Sequence, residues 1–279
     1  MKMTRKTISI LFILCISHLS LTSVGAQAQV LVDTNGDELV VVMGFGDSIT
    51  YGVGDDTPPG AYVDMPNLTD GSRGYLTRIS SLGGVATINK GVPGEFLSIG
   101  GINRLPNAVA ASNADIVLLM EGANDSSIQL DSKKYRLLYQ KAINVIRALG
   151  RIPVAMKEPL PCCDRIDRVP FIQAYNANVA DLAAINGIHI VDLAHTWETT
   201  CQNKSSCELF NIPDGIHPNS LGYDAIGQTV LATLFEIDIY SESGAKDLEA
   251  ALSLAEGTII VKPNTPPLEP PAEPVIVTP

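Results

Sequence analysis

Five short apolar runs, residues 39–45, 85–89, 116–120, 152–156 and 188–193, recur along the chain and are separated by longer amphipathic or polar stretches. Each run is rich in Val, Ile or Leu and lacks strict alternation of apolar and polar positions, the pattern of strands covered on both faces. The stretches between them carry helical spacing. Residues 132–149 set Tyr135, Leu138, Ala142, Val145, Ile146 and Leu149 at helical intervals, and Gly150 follows as a stop. Similar spacing predicts helices over 73–82, 101–112, 168–186 (with Gly187 after it) and 219–236. Strand alternating with helix in this way implies an α/β fold, a parallel sheet with helices on both faces joined by right-handed crossovers. Ligands of such open sheets bind outside the carboxyl ends of the strands.

Three regions break the alternation. Residues 52–72 have no periodic pattern and contain Pro58, Pro59, Gly60 and Pro66; a loop of that length is expected to wall a substrate site, with a passive surface insertion as its rival reading. Beyond residue 238 the pattern weakens to one further helix over about 245–256 and then a Pro-rich tail from about Lys262. At the start, Met1-Lys2-Met3-Thr4-Arg5-Lys6 leads into an apolar stretch that closes on Ala26-Gln27-Ala28. This predicts a signal peptide cleaved near Ala28, and a secreted or periplasmic protein. The stretch is shorter than the roughly 20 residues of a membrane span, so no stable membrane anchor is expected. The expected organisation is therefore signal peptide 1–28, one domain over 29–240 and a C-terminal extension over 241–279.

An apolar content of 46% is enough for a full core. The formal net charge is -11, and cleavage would remove Lys2, Arg5 and Lys6 but no acid. Acidity of this kind opposes binding to nucleic acid or anionic membranes. Four cysteines lie beyond the signal region, Cys162, Cys163, Cys201 and Cys207. An even number in an exported chain favours two disulfides, and the spacing of His and Cys fits no zinc site. Because a bond between adjacent cysteines is sterically awkward, pairings that join Cys162 and Cys163 to Cys201 and Cys207 are expected, with a local Cys201–Cys207 loop as the alternative.

The candidate chemistry sits where the predicted strands end. Gly46-Asp47-Ser48-Ile49-Thr50 follows the first run, Asn89-Lys90-Gly91 closes the second, Gly122-Ala123-Asn124-Asp125 follows the third, and Asp214-Gly215-Ile216-His217-Pro218 lies beyond the fifth. A serine hydroxyl needs a base within hydrogen-bond reach, a group that orients that base, and donors for a developing oxyanion. His217 is the candidate base, with Asp214 three residues before it, Gly215 to allow a tight turn and Pro218 to open a helix. His189 lies within the fifth run and reads as a packed structural residue, and His195 lies just beyond that run. Gly91 lets its N–H approach a ligand closely, and Asn124 offers a neutral amide donor. Asp47 braces the serine turn, while Asn89, Gly94, Gly122 and Asp125 support the neighbouring loops.

In order, spacing and residue type, these four segments resemble the SGNH hydrolases, a subgroup of the GDSL esterase and lipase family, over roughly residues 39–237. Ile49 stands where the family name has Leu, a change within an apolar anchor. The resemblance implies a flavodoxin-like three-layer α/β/α sandwich with a five-stranded parallel sheet, in agreement with the independent count of runs. It also implies an oxyanion hole of the Ser48 and Gly91 N–H groups and the Asn124 amide. The expected activity is hydrolysis of a small-molecule or carbohydrate carboxylic ester through an acyl-enzyme on Ser48, needing neither metal nor organic cofactor. Lipase, lysophospholipase or acyltransferase action would use the same residues, and a non-catalytic binding module is the alternative class.

Overall fold

The computed structural model describes residues 31–56, 74–201 and 206–255. The expected signal peptide, residues 57–72 of the loop expected to wall the site, and the Pro-rich tail lie outside those residues. Five strands, β1 (Val41–Gly46), β2 (Ala86–Gly91), β3 (Ile116–Met120), β4 (Ile152–Met156) and β5 (Ile190–Val191), form one parallel sheet in the order β2-β1-β3-β4-β5. Alternate side chains of each strand feed two separate cores. Val42, Ile116, Leu118, Met120, Val154 and Met156 pack on one face, and Val41, Met43, Phe45, Val117, Leu119 and Ala155 on the other. Both sets are apolar because both faces are covered, which is why the sequence shows runs and not alternation.

Helices α2 (Tyr75–Gly83) and α8 (Ser220–Leu234) cover the first face through Tyr75, Leu76, Ile79, Tyr223, Ile226, Val230 and Leu231. Helices α3 (Ile102–Ala110), α5 (Ser132–Ala148) and α6 (Val169–Asn186) cover the second. Helix α5 shows how the sequence sets such an element. The Asp131 side chain accepts the Lys133 and Lys134 N–H groups at its start, and Arg147 faces the carbonyl end. Its buried stripe is Tyr135, Tyr139, Ala142, Ile143 and Ile146, so the face is rotated from the expected one, and Leu149 is a partly exposed C-cap. Burial of each large apolar side chain in these layers stabilises the fold by about 1.5–3 kcal/mol.

The remaining elements are short helices at the rim: α1 (Ser48–Tyr51), a π-helical turn (Leu97–Gly101), α4 (Ala123–Ser127), a 3-10 turn (Cys163–Arg168) and α7 (Leu193–Cys201). The fifth run predicts a strand to Leu193, but the strand is two residues long and α7 starts at Leu193, burying Trp197. Cys201 is thus the last residue of a helix. Helix α9 (Gly244–Ala255) follows and sets Leu248 into the first core. Among the described residues no helix is long and apolar enough to cross a membrane.

Candidate active site

Strand β1 ends at Gly46 and α1 starts two residues later, which lifts Ser48 to the carboxyl rim of the sheet. Asp47 caps this helix, its Oδ1 accepting the Ile49 N–H at 2.9 Å. On the opposite side, Gly215 turns the chain with φ +67° and brings the Asp214 and His217 side chains together. A Cβ at position 215 would lie 2.4 Å from the Cys162 carbonyl oxygen, so both the conformation and the packing require glycine.

The three candidate catalytic groups form a continuous chain. His217 Nε2 lies 2.9 Å from Ser48 Oγ, and His217 Nδ1 lies 2.7 Å from Asp214 Oδ2. The same Asp214 oxygen accepts the His217 backbone N–H at 3.0 Å, which fixes residue and ring together. With the carboxylate on Nδ1, the tautomer that leaves Nε2 free to accept the serine proton is favoured. Asn211 holds this turn from below. Its Nδ2 donates to the carbonyls of Gly54 (2.8 Å) and Pro218 (3.0 Å), joining the serine side to the histidine side. Pro218 does not open α8 as expected; it pairs with Phe210 in an isolated bridge, and Asn219 caps the helix.

Of the expected oxyanion donors at the same rim, the Gly91 N–H and the Asn124 amide each have an internal partner. Gly91 N–H donates to Asn89 Oδ1 at 2.9 Å. A Cβ at position 91 would sit 2.2 Å from the Tyr51 backbone nitrogen, so the glycine admits α1 against β2, a reason the sequence did not reveal. Asn89 Nδ2 also donates to the Tyr51 carbonyl, tying both loops to the serine helix. Asn124 Nδ2 donates to the Glu95 carbonyl at 2.8 Å and, more weakly, to Asp47 Oδ2 at 3.2 Å. Asp125 is fully buried and accepts the Leu97 and Ser98 N–H groups, as a loop support should.

Beneath these groups lies a layer that sequence reasoning missed. Glu121 directly follows β3, Glu158 follows β4 by two residues, and both are buried beside the Asp47 region. Burial pushes both carboxyls well above the usual range, and the charge of Asp47 adds to the shift in each. Asp47 itself is pushed up to about 7 by burial and by the nearby Asp125 and Glu95 carboxylates, against the lowering effect of the Ile49 N–H. The signal was available: each acid stands at a strand's carboxyl end, where Ser48 and Asn124 also stand. A second missed feature is Arg78, fully buried on α2 and paired with Asp55, which is also fully buried, and with Asp224. Asp55 also accepts the Gly74 N–H at 2.7 Å, so the pair joins both ends of the loop that follows the serine.

His195 is apart from the site, its ring edge-on to Tyr240 at 4.4 Å. The cysteines correct the expected cross-pairing. Cys162 lies against Cys163 and Cys201 against Cys207, with Cα separations of 3.8 and 5.0 Å. The turn bearing the base is braced instead by the Cys162 N–H, which donates to the Gly215 carbonyl at 2.9 Å. Among the described residues no group of three or more His, Cys, Asp or Glu could hold a metal ion.

Serine, imidazole and carboxylate in relay at the rim of an open parallel sheet is the arrangement serine hydrolases use. The chain belongs to the GDSL-like lipase/acylhydrolase family, whose sequence model matches residues 45–225. Among solved structures it is similar to a lipolytic G-D-S-L family protein of Veillonella parvula, at 23% identity over 71% of this chain and 100% of that one, with a TM-score of 0.58. It is also similar to a lipase/acylhydrolase of Enterococcus faecalis, at 21% identity over 71% and 95% of the two chains, TM-score 0.54. An acetylxylan esterase of Geobacillus stearothermophilus aligns at 17% identity over 70% and 94%, TM-score 0.57. At these identities the likeness concerns the fold. A search of curated proteins returns no match.

Proposed function

We propose that this protein is an exported serine esterase that hydrolyses carboxylic esters through an acyl-enzyme on Ser48. The observation that carries the reading is the unbroken relay from Ser48 Oγ to His217 Nε2 and from His217 Nδ1 to Asp214. Ser48 Oγ attacks the ester carbonyl as His217 Nε2 takes its proton, and Asp214 stabilises the imidazolium. The oxyanion gathers the Ser48 N–H and the Asn124 amide, and the Gly91 N–H joins them by giving up its bond to Asn89 Oδ1. For Asn124 the long contact with Asp47 is the one exchanged, while the shorter bond to the Glu95 carbonyl keeps the amide aimed. Collapse expels the alcohol with the proton held by His217. Water then enters, gives a proton to His217 and releases the acid from Ser48, which recovers that proton.

Short-acyl esters, including those of carbohydrates, are the favoured substrates; the acidity of the chain and the acetylxylan esterase among its structural neighbours support this. A longer-acyl, lipase-like reading has one specific support: Val92, Ile128 and Ile212 are exposed apolar residues close in sequence to Gly91, Asn124 and Asp214. Hydrolysis of p-nitrophenyl esters from acetate to long chains, by the mature protein beside Ser48→Ala, tests both. Serine-dependent turnover that falls with chain length supports the first, and turnover that rises supports the second. Products formed with an added acceptor alcohol would report acyltransfer. Absence of Ser48-dependent turnover on every ester would favour a binding module.

A further inference from the structure

The 3-10 turn Cys163–Arg168 carries two cations, Arg165 and Arg168, three residues apart. In a 3-10 helix side chains at i and i+3 eclipse, so the two share one face. Their placement is tied to the site at both ends. Arg168 Nη1 donates to the Ala123 carbonyl at 3.3 Å, one residue before Asn124. The turn's first anchor, the Cys162 N–H, donates to Gly215 between Asp214 and His217. The Arg168 guanidinium therefore lies against the oxyanion loop and within the field of Asp214 on the base-bearing turn.

Among the described residues neither arginine makes an ion pair, a condition shared with Arg147 and Arg151, but only Arg168 is tied to the oxyanion loop. The Nε of Arg165 is buried without a hydrogen-bond partner, and four of the five Arg168 donors are uncommitted. Two like charges, partly desolvated on one face, cost stability unless an anion joins them. Burial and the neighbouring Arg165 both weaken the hold of Arg168 on its proton, with Asp167 and Asp214 opposing. The chain as a whole is strongly acidic and the turn itself carries Asp164 and Asp167, so a guanidinium held one residue from Asn124 is where an anion would find its donors.

We propose that Arg168, backed by Arg165, determines specificity by recognising an anionic oxyacid group on the ester substrate, the carboxylate of an acidic sugar or a phosphate. The planar guanidinium matches both groups through paired N–H donors. The proposal rests on the esterase reading and deepens it.

The test compares kcat/KM at low salt for substrate pairs of similar size: acetylated glucuronate, or acetylated glucose 6-phosphate, against acetylated glucose. On the acyl side, the mono-p-nitrophenyl ester of glutarate is set against p-nitrophenyl valerate. Wild type should favour at least one anionic member by roughly ten- to a hundredfold, the worth of a charge-assisted bond. In Arg168→Gln that ratio should fall to near one. Arg168→Lys should keep part of it, and Arg136→Gln, which removes the same charge from the contact of α5 with α6, should keep it all. A role confined to holding the Ala123 carbonyl would lower rates on both members alike and leave the ratio intact, which would overturn the proposal, as would a wild type with no charge preference. Calorimetric titration of free glucuronate and inorganic phosphate reads the anion site without turnover. Binding lost in Arg168→Gln supports it even if no ester is cleaved, and absence of binding together with absence of charge preference overturns it.

Discussion

Asp47 is fully buried beneath the nucleophile, and its carboxyl is raised from an ordinary 3.8 to about 7. The folded protein therefore keeps a proton there that the unfolded chain releases near pH 4. Between those values the folded state binds more protons, so stability falls as pH rises; it is fully present below about pH 4 and lost through about pH 7. Three pH units at about 1.4 kcal/mol each give about 4 kcal/mol. Asp47→Asn removes the titration while keeping the shape and the acceptor for the Ile49 N–H. Urea unfolding of both proteins at intervals from pH 4 to 8 isolates the effect, because any fixed cost of the substitution cancels in the trend. Relative to wild type, the variant should gain about 4 kcal/mol across that range. Loss of the Asp47 charge also eases the burden on Glu121 and Glu158, which acts in the same direction. A difference between the two proteins that stays within about 1 kcal/mol over the whole range would refute the reasoning.

Further outcomes follow from single contacts. Asp55→Ala takes the partner from a fully buried arginine that keeps Asp224, so denaturant unfolding should show a loss of about 3 kcal/mol, the lower end for broken buried pairs; a loss under about 1 would contradict the buried-pair account. Gly91→Ala drives a Cβ to 2.2 Å from the Tyr51 nitrogen and should lower both the melting temperature and the activity, since backbone cannot yield as a side-chain tip can. Asn124→Ala should reduce kcat by roughly 100- to 1,000-fold with little change in KM. Peptide mapping without reduction should find Cys162 with Cys163 and Cys201 with Cys207, and a peptide linking the two segments would contradict the structure.

The sheet was legible because its strands are buried on both faces and so stand out as runs; β3 and β4 match their expected bounds to the residue. The relay was legible because its members lie on short motifs at strand ends. What escaped detection depends on distance in the chain. α7 was hidden because its stripe, Leu193, Ala194, Trp197 and Cys201, is short and begins inside the fifth apolar run. Arg78 and Asp55 are 23 residues apart, and only the fold makes them partners. Gly91 was read as a ligand-facing glycine, yet its missing side chain makes room for the serine helix. The cysteines follow the local alternative, Cys201 with Cys207, although Cys162, Cys201 and Cys207 all line one cavity, so proximity alone does not decide the pairing. Arg168 stands in a stretch with no motif at all, and its interest arises from what the fold sets beside it.

The central claim is that His217 activates Ser48, and the most direct test is active-site labelling with a fluorophosphonate, read by intact mass and peptide mapping. The account predicts one adduct per chain, on Ser48, formed rapidly in the wild type and slowed by at least 1,000-fold in His217→Ala. Labelling at another residue, or at Ser48 with a rate unchanged by loss of His217, would contradict it.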